Sequence, residues 1–246
     1  LGYGPAWLGD RTEGTPWAPT FGCLPVTHPV EERVAEQLCT LTQTEAVRWC
    51  KNGSDATEAA VRIARAVSQR RIILTNSYHG SHGDLVYATP GKSGGQQNTG
   101  VIPMPTLDLL YDGLTRYSTN VAAVLIEPWT PHQGLWTTAA LRWKCQEIGC
   151  LLIHDEMLTG FRRQAGAWER DVEPDLACYG KAIANGFPLA ALVGRRPLME
   201  MLRDRVFMSG TYAAEVYSLT VCEEALSRLA EANWRWIEEM TTTLQL

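Results

Sequence analysis

Lysine is scarce in this chain of 246 residues, and no run of basic residues occurs. The formal net charge is −5, so neither nucleic acid nor an anionic membrane surface is an expected partner. No apolar run approaches the roughly 20 residues that a membrane-spanning helix needs. Any reaction that requires a side-chain amine is restricted to four lysines: Lys51, Lys92, Lys144 and Lys181.

The cysteines show no sign of pairing. They are seven in number and form no CxxC pair, which argues against a disulfide framework and against a zinc site. Several lie in apolar runs, where cysteine is usually a small core residue. Residues 1–20 also lack the basic-then-apolar pattern of a secretory signal. We therefore expect a cytoplasmic protein without a structural metal.

What the sequence does hold is a regular alternation of strand and helix patterns after an irregular start. Residues 1–28 predict an irregular arm, and residues 29–246 predict one α/β domain. We predict strands at residues 46–49, 71–75, 121–126, 150–154, 176–179 and 189–193. We predict helices at residues 29–38, from 56 onward, at 138–148, 196–203 and 213–240, and a lid-like loop at 88–105. Strands separated by helices need crossover connections, so we expect a mainly parallel sheet with helices on both faces.

The first candidate site is the segment Asn52-Gly53-Ser54-Asp55, which directly precedes a strong helix pattern. Glycine allows the backbone to approach a ligand closely, and a helix N-terminus presents free N–H groups and a partial positive charge. Both properties suit a phosphate group. An ordinary N-cap formed by Ser54 or Asp55 is the alternative, and the segment taken alone favours that cap.

The second candidate is Asp155, which stands at the end of the buried strand pattern of residues 150–154. Ligands of open α/β sheets bind at the carboxyl ends of the strands. A carboxylate at this edge can pair with a pyridinium nitrogen or with a metal. The alternative is a strand-end acid that caps the following loop.

The third candidate is Lys181, which follows Gly180 at the end of the predicted strand 176–179. Small residues surround it in the sequence, and a partly desolvated lysine at this edge would lose its charge more readily and act as a nucleophile. The alternative is an ordinary solvated lysine, because most lysines in proteins are exposed.

Taken in order, these segments resemble the motifs of the class III aminotransferases of fold type I, enzymes that depend on pyridoxal 5′-phosphate (PLP). The resemblance extends from about His28 to Glu231 and is greatest, within the family, to glutamate-1-semialdehyde aminomutase. It implies the large domain of a fold type I enzyme. It also implies that Lys181 holds PLP as a Schiff base and that Asp155 binds the ring nitrogen, which makes these two the catalytic residues.

The resemblance assigns further cofactor contacts to Gly53, Ser54, Asp55, Tyr78, His79, Glu127 and Met157. Tyr78 would stack on one face of the ring and Met157, which replaces the usual valine, would pack on the other. Asp55 replaces the usual glutamate of the phosphate loop. Gly210-Thr211 is similar to a segment that reaches the phosphate bound by the neighbouring subunit. The resemblance therefore implies a homodimer in which Thr211 belongs to the neighbouring site.

The implied activity is the transfer of an amino group from an amine or amino-acid donor to a carbonyl acceptor. Two alternatives stay open: an aminomutase of the glutamate-1-semialdehyde type, and a PLP-binding protein without turnover. The chain is shorter than the usual family member and lacks nearly all of the C-terminal small domain. Because the missing segments usually bind a carboxylate, we expect a broad or non-acidic substrate range, with Arg116, Arg162 and Arg163 as the arginines that could replace them.

Overall fold

The computed structural model describes residues 28–88 and 100–234. The predicted arm up to residue 27, the centre of the predicted lid loop and the end of the last predicted helix lie outside the described residues. The described helices are α1 (Pro29–Thr42), α2 (Gly53–Ser68), α3 (Leu107–Arg116), α4 (Ala139–Ile148), α5 (Arg196–Met199), α6 (Met201–Asp204) and α7 (Val216–Ala230). Among these residues, no helix combines the length and the apolar character that a bilayer crossing requires.

The described strands are β1 (Ala46–Cys50), β2 (Ile72–Thr75), β3 (Val101–Pro103), β4 (Val121–Ile126), β5 (Trp129–Thr130), β6 (Gly134–Leu135), β7 (Leu151–Asp155), β8 (Leu176–Gly180) and β9 (Ala190–Gly194). Seven of them form one sheet in the order β1-β9-β8-β7-β4-β2-β3. The pairs from β8 through β7, β4 and β2 to β3 are parallel. Strands β5 and β6 form a separate two-stranded antiparallel ribbon. The predicted α/β fold with a mainly parallel sheet is confirmed.

Strand β9 runs antiparallel to both of its neighbours, β8 and β1, which the sequence analysis did not anticipate. The reason lies in the connection between β8 and β9, in which the only helix is the short 3-10 turn Lys181–Ala184. A parallel return needs a crossover of a dozen or more residues, usually with a full helix. The chain therefore turns back beside β8, and this turn carries Lys181.

The sheet is covered on both faces because its strands are apolar on both sides. Along β8, Leu176 and Cys178 belong to the apolar cluster that includes the residues of α2. Ala177 and Tyr179, which alternate with them, belong to the cluster on the opposite face with residues of α1 and α7. A third cluster joins α3 and α4 to strands β4 and β7. Helices on both faces were predicted, and the alternation along one strand shows their physical cause.

Several element boundaries differ from the predicted ones. Strand β3 and helix α3 were not predicted, and β3 occupies the end of the predicted lid loop. The predicted helix 196–203 is two short helices that meet at Glu200. The last helix begins at Val216 because the carboxylate of Glu215 accepts hydrogen bonds from the backbone N–H groups of Tyr217 and Ser218.

Candidate active site

The carboxyl ends of β7 and β8 open onto a cavity of about 610 Å³. Both strands run in the same direction and pair directly, so their last residues reach the same edge of the sheet. Of the residues that the sequence analysis singled out, the cavity is lined by Gly53, Ser54, Tyr78, His79, Glu127, Asp155, Met157 and Lys181. One site therefore collects residues from five separate segments of the chain.

The first turn of helix α2 forms one wall of this cavity. Asn52 is the N-cap, and its side-chain oxygen accepts a hydrogen bond from the backbone N–H of Asp55 at 3.0 Å. The alternative explanation expected a cap by Ser54 or Asp55, and it was wrong about which residue caps the helix. Because Asn52 takes the capping role, Gly53 and Ser54 stay on the cavity. The positive end of the α2 dipole faces the same space.

Two predicted residues do not line this cavity. Asp55 turns toward His82, whose Nδ1 lies 3.1 Å from the Asp55 carboxylate. Asp55 lines a second cavity of about 300 Å³, together with Gly210. Thr211, the residue after Gly210, is also absent from the lining of the main cavity. The structure thus separates Asp55 from the other predicted contacts, whereas Thr211 was predicted for the site of the neighbouring subunit.

The turn that carries Tyr78 and His79 is fastened to the start of α2. Gly80 has a φ of 103°, and a side chain there would place its Cβ 2.7 Å from the Ser54 hydroxyl. That hydroxyl in turn accepts a hydrogen bond from the backbone N–H of Ser81 at 3.1 Å. Glycine is required by both the backbone angle and the space. The backbone of this turn is consequently held against the helix N-terminus, and the ring of Tyr78 that it carries is exposed.

Asp155 is buried, and both of its carboxylate oxygens have defined partners. One oxygen lies 2.9 Å from Nδ1 of His79, and the other accepts the backbone N–H of Met157 at 3.1 Å. The bond to Met157 is the loop cap that formed the alternative explanation, so Asp155 caps the loop and also lines the cavity. Because each oxygen of Asp155 has a hydrogen-bond partner, the direction of its remaining lone pairs is defined.

A second acid on the same edge, Glu127, follows β4. Its carboxylate accepts a hydrogen bond from the Ser77 hydroxyl at 3.1 Å. Burial raises the pKa of Glu127, and the nearby charge of Asp155 raises it further. The site therefore contains two acids in unlike environments, and only Asp155 is bonded to a histidine.

Lys181 adopts an unusual backbone conformation, with a φ of 44°. A residue other than glycine rarely occupies this region, and such strain concentrates at functional sites. The side chain is exposed, as the alternative of a solvated lysine requires, but it lines the cavity. The Lys181 side chain makes no hydrogen bond or ion pair with any residue of the described ranges, and its charge opposes the rise in the pKa of Glu127.

Met157 packs between the helix N-terminus and the lysine turn. A Cβ on Gly53 would lie 2.9 Å from the sulfur of Met157, and a Cβ on Gly180 would lie 2.5 Å from the same atom. Both glycines thus leave the space that Met157 fills. Gly53 and Gly180 therefore determine the position of Met157, which was predicted to contact one face of the cofactor ring.

Two further cations line the cavity: the sequence analysis gave no role to Lys51 and named Arg162 only as one of three arginines that could bind a carboxylate. Lys51 lies directly before the N-cap of α2, and its Nζ is 2.8 Å from Glu215. Arg162 lies in the turn after β7. The position of Lys51 beside the phosphate candidate was a usable signal, whereas nothing in the periodicity of the sequence distinguishes Arg162 from Arg163.

Comparison with known proteins places these motifs in a family. Residues 20–244 match the family model described as aminotransferase class III. This chain belongs to the class III aminotransferases. The predictions of the family, of fold type I and of PLP as the cofactor are confirmed, because this is a family of PLP-dependent enzymes.

Curated relatives in the family include two proteins named glutamate-1-semialdehyde 2,1-aminomutase. The protein of Thermomicrobium roseum is 34% identical over 81% of this chain and 52% of its own length. The protein of Methanothermobacter thermautotrophicus is 31% identical over 100% of this chain and 65% of its own length. The chain thus spans between about half and two thirds of the length of these relatives.

Solved structures give the same family and a different activity. A transaminase with PLP bound is 28% identical, with a TM-score of 0.74 over 89% of this chain and 57% of that structure. An omega-transaminase from Sphaerobacter thermophilus is 25% identical, with a TM-score of 0.73 over 89% of this chain and 56% of that structure. The curated relatives and the solved structures therefore agree on the family but differ in the reaction that their names give.

Proposed function

We propose that this chain carries out PLP-dependent amino-group transfer, from an amine or amino-acid donor to a carbonyl acceptor, with Lys181 and Asp155 as its catalytic residues. The observation that supports this most strongly is their arrangement. Strands β7 and β8 pair in parallel and deliver Asp155 and Lys181 to one cavity. A nucleophile and an acid that share a cavity at a sheet edge are what the reaction needs.

The cavity has the features that PLP requires. Gly53 and Ser54, at the N-terminus of α2, would receive the phosphate, because free N–H groups and the helix dipole favour an anion there. Asp155, fixed by His79, would pair with the ring nitrogen. Tyr78 and Met157 would contact the two faces of the ring. Each part of the cofactor thus has a partner among the lining residues.

When bound, PLP supplies an electron sink for negative charge that develops on the substrate carbon. The residues of the chain provide the rest. Lys181 would hold the cofactor through its amine, and once the amine of the substrate displaces it, the free Lys181 amine would take a proton from the substrate carbon and return it to a carbon of the cofactor. Asp155 keeps a proton on the ring nitrogen by its negative charge, and His79 holds the Asp155 carboxylate in position. His79 is therefore a positioning residue.

An aminomutase is the second candidate function, since relatives at up to 34% identity bear that name. An aminomutase moves the amino group within one molecule, whereas a transaminase passes it to a second molecule. The protein should be mixed with PLP and a panel of amines, and conversion to pyridoxamine phosphate should be recorded. Conversion by many donors supports transfer, and conversion only with diamino or amino-aldehyde compounds supports the aminomutase. Absence of conversion with any of them contradicts both.

We also propose that the protein acts as a homodimer in which Thr211 completes the neighbouring site. Support comes from exposed aromatic side chains next to this segment, since Phe207 is 81% exposed and Tyr212 is 50% exposed. Large exposed aromatic residues are enriched at interface cores.

The cytoplasmic location of the protein stays a prediction.

Mixed dimers would test the shared site. An inactive Lys181→Ala subunit is combined with an inactive subunit that carries Thr211→Trp. Mixed dimers contain one site with both residues intact, so activity should return. With subunit exchange verified by mass, a mixture that stays inactive contradicts the shared site, and a single-chain mass in light scattering contradicts the dimer.

A further inference from the structure

Three arginines were expected to replace the missing carboxylate-binding segments, and the structure treats them differently. The guanidinium of Arg116 lies 5.4 Å from the ring centroid of Tyr117. Arg163 lies over the ring of Trp168 at 6.0 Å and 3.9 Å from Glu169. Of the three, Arg162 is the one that lines the main cavity.

Apart from Lys181, whose amine is assigned to the cofactor, Arg162 is the cation among the described lining residues whose side chain has no protein partner. Lys51 is paired with Glu215 at 2.8 Å. Arg162 makes no hydrogen bond, ion pair or ring contact with any residue in the ranges 28–88 and 100–234. A guanidinium offers five N–H donors in a planar fork, and these donors stay available to a molecule in the cavity.

The backbone that carries Arg162 is held rigidly. Phe161 is buried with a φ of 55°, and its backbone N–H donates to the carbonyl of Gly166 at 2.9 Å. The ring of Phe161 packs edge-on against Tyr179 at 5.7 Å. Gly160 has no room for a side chain, since a Cβ there would lie 2.7 Å from the Tyr179 ring. A strained conformation held from several sides indicates that the position of Arg162 is specified.

The two charged groups of the cofactor, its phosphate and its ring nitrogen, have other candidate partners in the cavity. The phosphate is assigned to the N-terminus of α2, with Lys51 directly before it. The charged ring nitrogen needs the acid Asp155. Arg162 enters from the turn after β7, a different element from α2. A bidentate contact with a planar carboxylate is the use to which a free guanidinium is best suited.

We propose that Arg162 binds a carboxylate of the amino donor, which makes amino acids, rather than simple amines, the preferred substrate class. This inference rests on the proposed function of the cavity. It replaces the expectation of a broad or non-acidic range, because Arg162 lies on the cavity and would bind the carboxylate.

The test compares donors that differ only in a carboxylate. Alanine is paired with isopropylamine, β-alanine with propylamine, and 4-aminobutyrate with butylamine, so that each amine carries a methyl group in place of the carboxylate. In Arg162→Gln, kcat/KM should fall roughly 10- to 100-fold for the amino acid that fits and stay within about twofold for its amine, as expected for the loss of one charge-assisted bidentate contact. The pair with the largest difference identifies the distance between amine and carboxylate.

Two matched variants keep the result specific. Arg163→Gln removes the same charge from the neighbouring position, whose side chain lies over Trp168, and it should leave all donors unchanged. Arg162→Lys keeps the charge but loses the fork, so it should restore part of the discrimination. Equal losses for amino acids and amines, or equal effects of Arg162→Gln and Arg163→Gln, would overturn the proposal.

A binding measurement separates this proposal from the proposed function. Glutarate, a dicarboxylate without an amine, is titrated calorimetrically into the PLP-loaded protein and its variants. The affinity for glutarate should fall in Arg162→Gln while the affinity for PLP stays the same. If no donor reacts but this difference is observed, transfer fails and the carboxylate site stands. Unchanged glutarate affinity, or weaker PLP binding in its place, refutes the carboxylate site.

Discussion

The two walls of the cavity are built in different ways. The α2 wall consists of a helix N-terminus, a side-chain cap and Lys51 fixed to Glu215, all in ordinary geometry. The wall formed by the segments that follow β7 and β8 contains two adjacent buried acids and three non-glycine residues with positive φ, Phe161, Lys181 and Asn185. Ordinary geometry is sufficient to hold a charged group. Strain and buried charge are concentrated where bonds would be formed and broken.

The largest effect is expected from removing the amine of the β8 turn. Lys181→Ala should lower turnover at least roughly 10³-fold, because both the covalent attachment and the proton carrier are lost. Borohydride reduction of the wild-type protein, followed by peptide mapping, should place the pyridoxyl group on Lys181. Attachment to Lys51, the other lysine of the cavity, would reverse the roles of the two walls.

The next largest effect is expected at the acid that faces the ring. Asp155→Asn should lower the rate roughly 10²- to 10³-fold, since an amide cannot hold the ring nitrogen protonated. Asp55→Asn is the matched control, because Asp55 lies on the second cavity and faces His82. Steady-state rates with one donor measure both. Near-native rates in Asp155→Asn would show that Asp155 only caps the loop, by accepting the hydrogen bond from the backbone N–H of Met157.

A pH-dependent stability effect is expected from Glu156, the buried neighbour of Asp155. Its carboxylate accepts hydrogen bonds from the Thr159 hydroxyl and from the backbone N–H of Trp168. Burial raises the pKa of Glu156 to about 7 from an ordinary value of 4.5. An acid with a raised pKa in the folded state stabilises the fold fully below pH 4.5, and this contribution is lost as the pH rises to about 7.

The prediction follows from that sign. Glu156→Gln removes the ionisation and keeps the shape, so it should increase the free energy of unfolding above pH 7 by up to about 3 kcal/mol. The gain should vanish toward pH 4.5. Urea unfolding at several pH values measures it, with exposed Glu147→Gln as the control. If the difference in unfolding free energy between Glu156→Gln and wild type does not change with pH, ionisation of Glu156 does not destabilise the fold.

The two walls also differ in how far the sequence predicted them. Asp155 and Lys181 were found because strand ends meet at one edge, which is a property of the pattern. Asp55 was expected on the cavity, but Asn52 caps the helix and this rotates Asp55 toward His82. Which residue caps a helix depends on local geometry that composition does not reveal.

The position of Arg162 could not be predicted for a similar reason. It depends on a turn in which Phe161 has a positive φ, a conformation that no phenylalanine pattern indicates. The antiparallel direction of β9 was missed because strand patterns do not encode direction. The length of the segment after Lys181, too short for a crossover, was the available signal.

The smallest effect is expected on the α2 wall. Lys51→Gln should weaken the binding of pyridoxamine phosphate roughly two- to fivefold, because a partly exposed ionic contact contributes little. The cap of α7 should survive, since Glu215 keeps its bonds to the backbone N–H groups of Tyr217 and Ser218. Pyridoxamine without phosphate should bind both proteins equally. Lys144, which is half-buried like Lys51 and paired with Glu147, gives the control variant Lys144→Gln. If Lys51→Gln weakens both ligands equally, Lys51 does not act on the phosphate, and the α2 wall holds that group through its N–H groups alone.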